Sequence, residues 1–218
     1  LLCEKSPQEA VTYLANILDT YIKDNEVRKV IDLSSYFVKS CYLIGNYFGA
    51  AEAVDAVVNA IKNSGANVSL LEISLIKTRK LNAILNIGNS EQIISLIRNE
   101  ILPELDKSLL ENEFEPEYKS IILNAWFNSK IVLAKAFAIQ GNNKVNEVVS
   151  DIYSAINKYN YNSLYYKLHT GIIEAFANTM EGDIHHSNEI LNNISLAYKT
   201  RPMEPHLLVL WNLVNIIN

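Results

Sequence analysis

Glycine and proline are scarce: seven and five in 218 residues. Turn-rich β folds need both, so the shortage favours long helices. No run alternates apolar and polar residues, and no hairpin signal appears, which removes the remaining case for strands. Cysteine is limited to Cys3 and Cys41. Two isolated thiols make neither a metal-binding nor a redox motif, and reduced, intracellular thiols are expected. Clustered lysine and arginine are also missing, and the formal net charge is −5. That excludes the electrostatic footprint of a nucleic-acid binder. The short basic stretch from Lys77 to Lys80 reads as solvated helix surface. No signal peptide is recognisable. The longest apolar run, 207–211 continuing to 217, is too short to cross a bilayer, so no membrane contact and a cytoplasmic location are expected. A glycine-rich phosphate loop and the HExxH, GxSxG and CxxC motifs are all absent. No catalytic residue, cofactor or metal is therefore assigned, and the chain is expected not to be an enzyme.

What the chain does contain is apolar surface and punctuation. Hydrophobic residues make up 49% and charged residues 20%, the balance of a folded chain. Ser6-Pro7-Gln8-Glu9 reads as a helix start, with Ser6 as cap and Glu9 closing a capping box. Helices are expected from there to Asp24-Asn25, then over 26–44, 48–62 and 69–88. The fourth opens on a second capping-box spacing, Ser69 to Glu72. A fifth starts at Ser90 and is interrupted at Pro103. The acidic stretch 104–117 is the least regular, with a helical turn over 106–110 and a loop over 111–115. Helices follow over 116–140, 144–158, 163–181, 184–199 and 203–217. The fold class is all-α, with neighbouring helices antiparallel. The chain begins with Leu1 and ends inside an apolar pattern, and is expected to be part of a larger protein as one domain over 1–218.

One device recurs. Gly45-Asn46, Gly88-Asn89, Gly141-Asn142 and Gly182-Asp183 each sit between two helical patterns. Glycine permits a left-handed helix end, so each pair is expected to mark the bend of a helical hairpin. The bends lie 43, 53 and 41 residues apart (45 to 88, 88 to 141, 141 to 182), and the long interval holds the acidic segment. A period in the forties marks a helical-repeat array, in which hairpins stack because none can bury both faces alone.

Tyr42, Gly45, Tyr47 and Ala50, with Phe37 on the preceding helix, resemble the second half of a tetratricopeptide repeat (TPR), where a Gly-x-Tyr bend is followed by alanine. The likeness is best over 31–64. It thins to Gly88 in the second unit, Gly141 with Ala134 in the third, and Gly182 in the fourth. The Trp-Leu-Gly start of the consensus is absent, the closing proline appears only as Pro202, and the period exceeds the family's ~34 residues. The resemblance implies an α-solenoid of about five antiparallel hairpins wound as a right-handed superhelix. It also implies a concave groove lined by the first helices, with Asp32, Ser35, Lys39 and Tyr42 facing it. Position-matching to the weaker units adds Thr78, Asn82, Asn86 and Lys135. The lysine and asparagine pattern of chaperone-tail clamps is absent there, so no C-terminal carboxylate site is expected. Ordinary solvated surface is the alternative reading of the same residues.

Other residues draw attention. His185 and His186, with Glu189, offer two ligands on one helix, although a surface pair beside the Asp183 cap is the preferred reading. His169 and His206 read as structural or exposed. Trp126 reads as core and Trp211 as a partner anchor. Tyr153, Tyr159, Tyr161, Tyr165 and Tyr166 gather near one connection and fit either a contact surface or a seam between hairpins. The 203–217 helix is apolar nearly all round, unlike a solenoid's polar end, so it is expected to pack on further repeats, an adjoining domain or a second copy. The function expected is a noncatalytic protein or peptide interaction module, the sensor, scaffold or regulatory part of a signalling or transcription protein. Self-association, or a metal- or ligand-binding helical enzyme domain, are its rivals.

Overall fold

A computed structural model of the chain describes residues 5–111, 114–161, 163–198, 211, 212, 214 and 215. Every regular element among them is helical, and no strand occurs. The helices are α1 Pro7–Lys23, α2 Val27–Leu43, α3 Tyr47–Ser64, α4 Leu70–Thr78, α5 Leu81–Ile87 and α6 Ser90–Leu96. A π-helical turn, Ile97–Ile101, leads into α7 Leu102–Leu110. Then come α8 Pro116–Ile139, α9 Lys144–Lys158, α10 Leu164–Glu181 and α11 Ile184–Tyr198. They group into two compact units, 1–129 and 130–218.

The four Gly-Asn/Asp bends are built alike. At the first, Gly45 has φ +72 and donates to Tyr42 O, while Asn46 N–H reaches back to Cys41 O. These two bonds close the Schellman motif, and an L-residue in that conformation would strain. Asn46 then caps the next helix, its side chain accepting from Gly49 N. One dipeptide thus ends one helix and starts another. Gly88-Asn89, Gly141-Asn142 and Gly182-Asp183 repeat the backbone bonds. Asn89 and Asp183 cap as Asn46 does, accepting from Gln92 and His186 N–H, whereas Asn142 accepts two residues on, from Lys144 N–H, and Asn143 starts the helix without a side-chain cap. Two further bends use the same bonds with asparagine in the left-handed role: Asn25 at φ 58 and Asn160 at φ 48.

In the first unit, α1 packs on α2, α2 on α3, and α3 on both α4 and α5. The core between α2 and α3 joins Val38 and Cys41 to Ala50, Val54 and Val57, all at or near zero exposure. Ala50 lets the returning helix come close, as the alanine pattern predicts. In the second unit, α9 packs on α10 and α10 on α11. There the approach is closer: a Cβ on Gly171 would lie 2.7 Å from Ile194 Cδ1.

Two local expectations need correction. Ser6 makes no side-chain cap; Pro7 starts the helix and Ser6 contributes only its carbonyl, to Ala10 N–H. The Ser69–Glu72 box, by contrast, forms in both directions. Pro103 does not interrupt its helix. Proline has no N–H to give and its ring crowds the carbonyl four residues back. The preceding turn widens to π spacing, with Leu102 N–H bonding Ile97 O, and the helix continues to Leu110. Of the acidic segment, 106–110 is helical as expected, within a helix that starts earlier, and Asp106 accepts from buried Trp126 Nε1 at 2.7 Å.

The helix α8 is long and apolar enough by length and composition to span a bilayer, which counting uninterrupted apolar runs overlooks. Of its most apolar window, 78% is buried within the fold, the pattern of a core helix. Cys3, Pro202, His206 and most of the expected 203–217 helix lie outside the described residues. Of that helix, Trp211 and Val214 pack on α10 and α11, Val214 with no exposure.

Candidate functional site

The residues expected to line a groove divide by what their side chains do. Asp32 and Lys39 are exposed on α2, and Asn82 and Asn86 on α5. Ser35 and Thr78 are half-buried and turn their hydroxyls onto their own helices, at Asp32 O and Leu75 O. Asn86 does the same, with Nδ2 donating to Asn82 O at 2.7 Å. Lys135, half-buried on α8, belongs to the second unit.

Tyr42 has a different task. Its hydroxyl donates to Arg79 O at 2.9 Å and accepts from Ala83 N–H at 2.8 Å. Arg79 and Ala83 stand four apart, the pair that an uninterrupted helix would bond directly. The tyrosine of α2 is therefore inserted into the helical ladder of the next hairpin, and α4 breaks from α5 at that point. Beside it, Arg79 Nη1 donates to Ile31 O at 2.9 Å and to buried Ser34 Oγ at 2.7 Å. Burial pushes the Arg79 guanidinium below its ordinary value, opposed by the nearby Asp32 charge. Burial also pushes the Tyr42 hydroxyl up to about 12. This polar tie joins α2 to the break between α4 and α5.

Two clefts open elsewhere. The first, about 320 Å³, lies between α3, the end of α4, and α6 with its π turn. Its carboxylates are matched: Lys80 pairs with Asp55, and Lys77 Nζ lies 2.5 Å from Glu100 Oε2. Both ammonium groups are largely buried while both carboxylates stay about half exposed. The second cleft, about 460 Å³, lies between α9 and α10 with His186 of α11 at its side. Here Tyr153 Oη donates to Glu174 Oε2 at 2.9 Å. Burial, with the Glu174 charge behind it, raises the Tyr153 hydroxyl and keeps it a donor. No lysine or arginine among the described residues lines this cleft or pairs with Glu174.

The histidine pair stays at the surface. The His185 side chain is 87% exposed and reaches Glu189 at 3.8 Å; His186 is half exposed and 3.5 Å from the same carboxylate. Among the described residues no three His, Cys, Asp or Glu side chains gather as a metal-ligand set. His169, by contrast, is buried, its ring 4.2 Å from that of Tyr165. Within the tyrosine cluster, Tyr166 is buried against Tyr161 and Tyr165, with centroids 5.7 and 5.1 Å away, while Tyr165 is exposed.

Glu174 was not singled out by its sequence. A signal existed, since it is the one carboxylate between Leu168 and Met180. Arg79 was likewise absorbed into a basic stretch read as surface. No protein-family model, curated protein or solved structure matches the chain.

Proposed function

We propose that the chain is a noncatalytic interaction module built as a TPR-like helical-repeat solenoid, with a protein or peptide as its partner. The observation that carries this reading is the repeated bend: one set of backbone bonds at all four Gly-Asn/Asp sites, with the polar side chain capping the next helix at three of them. A fold made by repeating one hairpin presents successive first helices side by side, and such surfaces serve recognition by shape. The Tyr42 tie supports this, because it joins α2 to the break between α4 and α5. Of the groove set, Asp32 and Lys39 on α2 and Asn82 on α5 carry the contact, being exposed on the joined helices. Tyr42 fixes their relative position. The module acts in the cytoplasm as the scaffold or regulatory part of a signalling or transcription-regulating protein.

The test is selection of peptides from a displayed library on the whole chain, followed by measurement of each on Lys39→Glu and Asn82→Lys. The expected result is that both substitutions weaken the selected peptides by about tenfold, the loss of one charge-assisted contact. Equal affinity for both variants would remove the groove assignment.

A further inference from the structure

The two clefts differ in how their charges are balanced, and that difference points to a ligand. In the α3–α6 cleft each carboxylate already holds a lysine. In the α9–α10 cleft Glu174 is half-buried and has only a neutral phenol. A carboxylate taken partly out of water gains most from a cationic partner, and no lysine or arginine among the described residues lines the cleft.

The neighbouring polar groups are turned the same way. Asn178 Nδ2 donates to Glu174 O at 2.8 Å, and Asn146 Nδ2 donates to Glu181 Oε1 at 3.2 Å. Each amide thereby directs one of its two N–H donors at the protein and keeps Oδ1 as an acceptor. Tyr153 spends its proton on Glu174 and keeps its lone pairs. Ser150 and Ser154 add hydroxyls one helical turn apart, and Val149 adds an apolar wall. The cleft therefore offers acceptors and an apolar wall, with Glu174 the one carboxylate among the described residues that line it and His186 at its edge. The complementary group is flat, cationic, rich in donors, and carried on an aliphatic stem. A guanidinium has those properties, with five N–H donors in a fixed fork.

We propose that the cleft between α9 and α10 receives an arginine side chain of the bound peptide, its guanidinium on Glu174 and its methylenes against Val149. This rests on the reading of the chain as a peptide-binding module and gives that module a second contact, apart from the α2–α5 face.

The probe is Nα-acetyl-arginine methylamide, titrated into the whole chain and followed by amide chemical shifts. Its uncharged counterpart is the citrulline derivative of the same shape. Saturable shifts at Tyr153, Glu174 and Asn178 are expected with the arginine probe, with binding weaker by about tenfold for citrulline. Glu174→Gln, which still accepts from Tyr153, should weaken the arginine probe by a similar factor. Asn157→Lys, at an exposed position on the cleft wall, should abolish binding by placing a competing ammonium inside, and it leaves the Tyr153–Glu174 bond intact should Glu174→Gln disturb the fold. Absence of a saturable response, an equal response to citrulline, or undiminished binding in a folded Glu174→Gln or Asn157→Lys variant would overturn the proposal. Any of those results alongside library peptides sensitive to Lys39→Glu would remove the cleft alone. Insensitivity to Lys39→Glu with arginine binding retained would remove the groove assignment alone.

Discussion

A single hydroxyl does two jobs at Tyr42, and its removal is informative because the ring can stay. Tyr42→Phe leaves Arg79 O and Ala83 N–H without their shared partner. A half-buried polar pair left unmet costs about 1–3 kcal/mol, which chemical denaturation would read directly. Amide exchange at Ala83 should speed up in the same variant. An unchanged midpoint with unchanged exchange would mean that the helix closes over the gap and the hydroxyl holds nothing. The same residue also makes a statement about pH. Its folded value is about 12, against an ordinary value of 10.0. The folded state thus binds the proton more tightly than the unfolded chain. The contribution is fully present below pH 10 and is lost as pH rises through the folded value. Wild type should therefore lose more stability than Tyr42→Phe between those limits. Cys41, buried with no exposure and raised to about 11, should stay unreactive to thiol reagents at neutral pH until the chain unfolds.

At the scale of an element, the bends set the cost of a substitution through the backbone alone. A Cβ at Gly45 would meet nothing within 4 Å, so Gly45→Ala isolates the left-handed conformation. The expected loss is about 1–2 kcal/mol. Asn160 holds the same geometry with a side chain, so Asn160→Gly should change stability by no more than about 0.5 kcal/mol, while Asn160→Ala should cost about 1 kcal/mol. Thermal or denaturant melts compare the three; a neutral Gly45→Ala would contradict the bend mechanism. The glycine bends were legible because glycine before a capping residue has few other uses. Asn25 reads as a helix end, but its left-handed turn, and that of Asn160, hid behind asparagine's many roles. The passage through Pro103 was hidden for another reason. A proline forbids one hydrogen bond, and only the structure shows the five-residue turn that avoids needing it. The groove set is implied by the family resemblance and position-matching, and it is exposed at Asp32, Lys39, Asn82 and Asn86. Tyr42 matched a consensus position, yet nothing local shows that its hydroxyl enters another helix 37 residues away. Glu174 likewise acquires its meaning only when α9 brings Tyr153 to it.

Across the whole molecule, the helix that matters most is α8, because its residues fall in both compact units. Phe127 is fully buried in the first and Phe137 nearly so in the second. Truncating either ring leaves a cavity and forfeits about 3–5 kcal/mol. Helical-repeat chains distribute stability among neighbouring units, so a local loss need not spread evenly. Phe127→Ala should lower amide protection chiefly in α1 to α7, and Phe137→Ala chiefly in α9 to α11. Native-state hydrogen exchange on the two variants separates these patterns. If either substitution lowered protection equally in both units, the chain would unfold as one block, and the quasi-independent hairpins on which the interaction-module reading depends would lose their energetic basis.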